Sequence, residues 1–304
     1  MQQHALPVPG AAHPLAVRRY LPPAGTPPRG SVVIGAAFGV PQTFYAPFAQ
    51  WLAGQGWAVS TFDYRGQGAS LHGPMRAVQA NLHDWARDYD AVIAHAAEAL
   101  PGRPVLLVGH SLGAQLPGLL EQKHRVAGLL SVAAGSGYWR QNAPRLRRLM
   151  PFFWHVLVPV SVRLCGYFPG RRLRAVGDLP AGVARQWRRW CLHPRYSVGA
   201  EGEAARQAYG EVRFPIHAWS MQDDEMMTLA GTEALLALYT HAPRQLEHLA
   251  PQDVGARRIG HFGFFREGFR DTLWPRAARQ LQQWCDAPAI APSSPPPVAR
   301  TTAA

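Results

Sequence analysis

Val105-Leu106-Leu107-Val108-Gly109-His110-Ser111-Leu112-Gly113 is the stretch around which the rest of the chain is arranged. Four apolar residues run straight into a Gly-x-Ser-x-Gly pentapeptide, and a helix-compatible segment, Ala114 to Lys123, follows. This is the sequence form of a buried strand, a very tight turn and a helix. Such a turn holds a serine in a strained conformation at the tip of the strand, its hydroxyl exposed above a helix N-terminus. Glycine is needed on both sides, because a β-carbon at 109 or 113 would strike the neighbouring strand or helix. The plainer reading is a serine in an ordinary strand-to-helix turn on a non-catalytic sheet. What stands elsewhere in the chain decides between them.

Toward the N-terminus, Leu15 to Leu21 reads as an edge strand and Ser31 to Ile34 as a buried one. The second opens into Gly35-Ala36-Ala37-Phe38-Gly39, small residues that leave backbone N–H groups free to face a ligand. A helix is expected over about Gln42 to Ala53, then a strand from Trp57 to Phe62 and the polar loop Asp63-Tyr64-Arg65-Gly66-Gln67-Gly68-Ala69-Ser70. Leu82, Trp85, Tyr89, Val92, Ile93 and Ala96 recur at helical spacing, with Asn81 and Asp84 placed to cap the helix start. Val126 to Val132, Ile216 to Ser220 and Arg244 to Leu249 read as further strands. A last helix is expected over about Thr272 to Trp284. Strands alternating with helices imply parallel βαβ units, hence an α/β fold with a largely parallel sheet covered on both faces. Pro117 alone sits badly, inside the helix expected after Ser111.

The strand rhythm stops at Gly135 and resumes at Ile216, and within that interval the window from Gly137 to Arg213 stands out. That window holds 14 arginines against Asp178, Glu201, Glu203 and Glu211, so it carries most of the chain's net charge of +12. Aromatic residues, among them Trp139, Trp154, Tyr167, Trp187 and Tyr196, are interleaved with them. The segment is expected to be a helical cap inserted into a core made of 1–136 and 214–286, with a disordered tail over 287–304. Its aromatics serve either to pack it on the core or to roof an apolar pocket. Its basic surface, including Arg171, Arg172, Arg188 and Arg189, suits anionic membrane; no nucleic-acid-binding motif accompanies it. Cys165, Cys191 and Cys285 are far apart and in no metal-ligand spacing. They read as free thiols, and a cytoplasmic protein without metal or other cofactor is expected. Met1 to Gly10 shows no secretory signal, and the apolar run Leu149 to Phe168 is broken by Pro151, His155, Pro159 and Arg163.

A serine hydroxyl needs a base to take its proton, and the base needs an acid to fix its tautomer. In an open parallel sheet all three belong at the carboxyl ends of strands. Asp223 and Asp224 follow the strand at Ile216, and His261, set in Gly260-His261-Phe262, follows the strand at Arg244. The order serine, aspartate, histidine is the one associated with this turn. His110 points toward supporting structure, and His217 and His248 lie in strands.

The pentapeptide, the loop at Asp63 and Gly260-His261-Phe262 together resemble the α/β-hydrolase superfamily, in its serine aminopeptidase/monoacylglycerol lipase-like branch of predicted bacterial hydrolases. The resemblance covers about Leu15 to Trp284 and implies a cofactor-free Ser-Asp-His hydrolase. Asp224-Glu225-Met226-Met227 resembles the family's aspartate followed by an apolar pair, which favours Asp224 over Asp223. The backbone N–H groups of Phe38 and Leu112 are the expected oxyanion donors. Here the sequence departs from the family, whose usual His-Gly pair is replaced by Ala36-Ala37. The expected function is cleavage of a carboxylic ester, including lipid-like ones, through an acyl-enzyme. Amide cleavage and acyl transfer use the same machinery, and a non-catalytic ligand-binding protein is the reading from another class.

Overall fold

A computed structural model describes residues 1–287, so the expected tail lies, beyond Ala287, outside the described residues. Each strand expected from an apolar run forms, and all join one eight-stranded sheet. In chain order these are β1 (Gln2–Leu6), β2 (Leu15–Tyr20), β3 (Ser31–Gly35), β4 (Ala58–Phe62), β5 (Val105–His110), β6 (Val126–Val132), β7 (Ile216–Met221) and β8 (Arg244–Leu249). Across the sheet the order is β1-β2-β4-β3-β5-β6-β7-β8. β2 runs antiparallel to both β1 and β4, and every other pairing is parallel. This is the α/β-hydrolase arrangement, with the central strands β3, β4 and β5 buried along their whole length.

Helices α1 (Ala46–Gly54), α2 (Leu82–Ala99), α9 (Leu229–Leu236) and α10 (Leu273–Asp286) flank the sheet. α2 starts on a reciprocal cap: the Asn81 side chain accepts from the N–H of His83 and Asp84, and the Asp84 carboxylate accepts from the Asn81 N–H. That closure satisfies donors that a helix start otherwise leaves open.

The helix expected over Ala114 to Lys123 does not form in one piece. α3 spans only Leu112–Gln115, and two 3₁₀ turns, Leu116–Leu119 and Gln122–Arg125, replace the remainder. Pro117 is the cause: it has no N–H to offer Gly113, and its ring disfavours the continuing α turn. The carbonyls stranded by the break find side chains instead. Tyr239 donates to the carbonyl of Ala114 at 3.0 Å, and Tyr209 donates to that of Gln115 at 2.5 Å. Asp90, on α2, then accepts from the N–H groups of Glu121 and Gln122.

A helical insertion lies between β6 and β7. α4 (Pro144–Phe152), a π turn (Phe153–Leu157) and α5 (Val158–Cys165) run on as one continuous stretch. The ladder widens where Pro159 cannot donate to the carbonyl of His155. A two-residue antiparallel ladder (Tyr167–Phe168 with Leu179–Pro180), α6 (Ala181–Leu192), α7 (Tyr196–Ala200) and α8 (Glu203–Gly210) complete it. Of the eleven aromatic residues between Gly137 and Arg213, Trp154, Phe168, Trp190, Tyr196 and Tyr209 are buried and pack the insertion together; five others are half-buried, and Phe152 is exposed. Glu201 ties the insertion to the core. Its carboxylate accepts from Gln186, Arg189 and Trp190 and pairs with His83 on α2.

Candidate active site

Ser111 stands at the end of β5 with φ +51° and ψ −111°, a region that L residues avoid. The flanking glycines show what makes this conformation possible. A β-carbon on Gly109 would lie 2.6 Å from the Ala114 nitrogen, and one on Gly113 would lie 2.1 Å from the Gly35 carbonyl oxygen. The Ser111 N–H donates to the carbonyl of Val132 on the neighbouring β6, which pins the turn to the sheet.

The three residues Asp223-Asp224-Glu225 follow β7, and their carboxylates do three different things. Asp224 Oδ2 lies 2.8 Å from Nδ1 of His261, and its Oδ1 accepts from the N–H groups of Met226 and Met227. Asp223 accepts from the N–H groups of Ile259 and Gly260, holding the loop that carries the histidine. Glu225 accepts from the His261 N–H and pairs with Arg258. The pair between Asp224 and His261 is buried, each side chain being 1% exposed. Among the described residues no hydrogen bond joins the Ser111 hydroxyl to His261. His110, the residue before Ser111, has its ring centroid 5.1 Å from that of His261. Hydroxyl–imidazole contacts commonly tighten only once substrate is bound.

His110 takes the supporting role expected of it, and Tyr45 joins it in holding the site together. The Tyr45 hydroxyl accepts from the Ala37 N–H at 2.9 Å and lies 2.9 Å from His110 Nδ1. His110 Nε2 lies 3.0 Å from the carbonyl oxygen of His261. The roles follow from proton counting. A carbonyl only accepts, so Nε2 carries the proton; Nδ1 then accepts from the tyrosine. Burial, and secondly the nearby His261, hold His110 well below its ordinary pKa, so the ring is neutral. One chain of hydrogen bonds therefore links the loop after β3 to the loop bearing His261.

The N–H groups of Phe38 and Leu112 donate to no protein acceptor among the described residues. The loop bearing Phe38 is fixed from outside by the insertion. The Phe38 ring stacks on Trp187 of α6 with centroids 4.3 Å apart, and Trp187 in turn meets Trp154 edge-on. Gly39 and Gly177 touch backbone to backbone, so that a β-carbon on Gly39 would lie 2.3 Å from the Gly177 nitrogen. Ser111 is 7% exposed and His261 2% exposed, so both are nearly enclosed.

The loop at Asp63 is a brace. Asp63 accepts from the backbone and side-chain nitrogens of Gln42 and from the Ala69 N–H, while Arg65 grips the buried Asp88. The Gln67 side chain donates to the Asp178 carbonyl in the insertion.

Residues 26–175 match the family model described as serine aminopeptidase, S33. Solved structures of similar fold include a soluble variant of monoglyceride lipase from Saccharomyces cerevisiae in complex with a substrate analog. It has a TM-score of 0.67 and 15% identity, over 94% of this chain and 98% of that one. The monoacylglycerol lipase of Paleococcus ferrophilus gives 0.56 and 17% over 89% and 99%. A thermophilic esterase from Thermogutta terrifontis gives 0.57 and 15% over 94% and 100%. No curated protein sequence matches the chain.

Proposed function

Since the chain is an α/β-hydrolase, we propose that it is a serine hydrolase that cleaves a carboxylic ester, lipid-like esters included, through an acyl-enzyme. The observation that carries this reading is the buried 2.8 Å pair of Asp224 with His261, on loops that follow β7 and β8, together with a serine held at positive φ after β5. The aspartate keeps the proton of His261 on Nδ1, leaving Nε2 to act as base. The Ser111 hydroxyl turns to Nε2, loses its proton there, and Oγ attacks the acyl carbon. The N–H groups of Phe38 and Leu112 hold the oxyanion as the carbonyl bond opens. His261 then returns the proton to the departing alkoxide, the C–O bond breaks, and an ester of Ser111 remains. Water, deprotonated by His261, releases the acid and restores the serine.

The insertion acts as a cap over this site, its Trp187 resting on the loop that supplies one oxyanion donor. That donor loop carries Ala36-Ala37 and is held by the Tyr45 hydroxyl instead of by a polar side chain of its own. Three free cysteines suit a reducing compartment, and we place the protein in the cytoplasm. No helix among the described residues is long and apolar enough to cross a membrane.

A fluorophosphonate probe tests the reading, because it labels only an activated serine. Wild type should label at Ser111 and Ser111→Ala should not. A folded wild type that stays unlabelled would make the chain a ligand-binding relative without catalysis.

A further inference from the structure

The continuous helical stretch of α4, the π turn and α5 buries one face and offers another apolar face to solvent. Met150, Trp154, Val158 and Val162, four residues apart, pack inward. Leu149, Phe152, Val156, Val160 and Leu164 lie along the outside; Leu149, Phe152 and Leu164 are 64%, 61% and 78% exposed. An apolar row of this length on the outside of a folded domain marks a surface that meets something apolar. The same stretch carries Arg145, Arg147, Arg148 and Arg163 and no acidic residue. None of these four has an ion-pair partner among the described residues. Two hollows adjoin it. One, of about 380 Å³, is lined by Trp139 and Pro151 with Arg140, Arg147 and Arg148. The other, of about 500 Å³, is lined by Val158, Pro159 and Val162 with Arg163, Arg185 and Arg188.

We propose that this outer face of the insertion docks on an anionic phospholipid bilayer, with the apolar row set among the acyl chains and the arginines in the phosphate layer. Both halves of the pattern are needed for that assignment. An apolar row alone would fit a second copy of the chain, but two faces each bearing unpaired arginines repel one another. Arginines alone would fit any polyanion, which would leave the exposed leucines and phenylalanine without a partner. A helix lying in the interface plane, apolar side chains inward and arginines at headgroup level, accommodates both. The two hollows, one joining apolar residues to Arg140, Arg147 and Arg148 and the other to Arg163 and Arg185, suit a lipid phosphate with the start of its chains. The surface also differs from the one that charge alone selected. Arg171 and Arg172 are exposed, but Arg188 donates to the Trp154 carbonyl and Arg189 pairs with Glu201.

This deepens the reading of a lipid-like substrate and rests on it for its purpose, not for its geometry. The test therefore uses full-length protein carrying Ser111→Ala, so that binding is read apart from turnover. Flotation with vesicles of phosphatidylcholine is compared with vesicles containing a third phosphatidylserine. Binding should require the anionic lipid and should weaken as salt rises. Arg147→Glu with Arg148→Glu should lower partitioning by at least about 25-fold, each lost arginine accounting for about fivefold. Leu149→Ser with Phe152→Ser should lower it at unchanged net charge. Arg103→Glu with Arg125→Glu, exposed residues just before β5 and β6 at the opposite end of the sheet, changes the charge equally and should cost far less. The proposal is overturned if anionic vesicles are not bound, or if the matched control loses as much as the face variants. It is also overturned if sedimentation shows a dimer that the Leu149 and Phe152 variants break apart. Turnover of a short water-soluble ester by the same face variants, with Ser111 intact, reports separately on the hydrolase reading and should be unchanged.

Discussion

At the scale of single residues, the site turns on which of three adjacent carboxylates meets the histidine. Strand position brings Asp223 and Asp224 to the same place without separating them, because neighbours on a turn point in directions that only the fold sets; the resemblance of Asp224-Glu225-Met226-Met227 to the family's aspartate is what favours Asp224. Asp224→Asn should leave the fold intact and lower kcat by about 10⁴-fold, since the amide favours the wrong imidazole tautomer. Asp223→Asn removes one acceptor from the loop bearing His261. It should cost much less in kcat, and burst kinetics with an activated ester separates the two variants. The hydrogen-bond chain through Tyr45 and His110 makes a further prediction. His110 is held neutral while the unfolded chain takes up a proton below about its ordinary value of 6.5, so the unfolded state binds more protons there. Its contribution to stability is therefore lost as pH falls below 6.5. Denaturant titrations at pH 7 and pH 5 should show wild type losing more on acidification than His110→Asn.

Among the elements, the central strands β3, β4, β5 and β6 were legible because each is a short, largely apolar run bounded by turn residues, and parallel pairing buries both faces. β1 was not: Gln2–Leu6 is mostly exposed, contains no β-branched residue, and exists only because β2 offers it a free edge. The break after α3 was visible as Pro117, but its remedy was not, since the tyrosines that take the stranded carbonyls come from Tyr209 and Tyr239, far along the chain. Tyr209→Phe should therefore destabilise the protein by about 1 kcal/mol, the worth of one hydrogen bond, because the Gln115 carbonyl then keeps only the longer contact from the Tyr239 hydroxyl at 3.4 Å. Gly118→Ala is expected to be at least as harmful, because its β-carbon would lie 2.3 Å from the Tyr209 ring. Thermal melts of the two variants check both. The apolar run from Leu149 was likewise visible, yet periodicity says only which residues share a side of a helix, not which side faces water.

For the molecule as a whole, Glu201 joins the insertion to the core. Its burial alone would raise the carboxyl pKa, but hydrogen bonds from Gln186, Trp190, Arg189 and His83 bring it down to about 2. A carboxyl lowered on folding contributes stability that is complete above its unfolded value of 4.5 and lost as pH falls toward 2. Glu201→Gln should lower the melting temperature at neutral pH and flatten the acid dependence between those limits. If the melting transition of the variant splits, the insertion has come loose as a separate unit. The edge-on contact of Trp154 with Trp187 and the stack of Trp187 on Phe38 give the intact protein one more property. An indole resting on the loop of Phe38 is a built-in optical reporter: acylation of Ser111 should alter its fluorescence, and Trp187→Phe should remove that signal while the other tryptophans go on emitting.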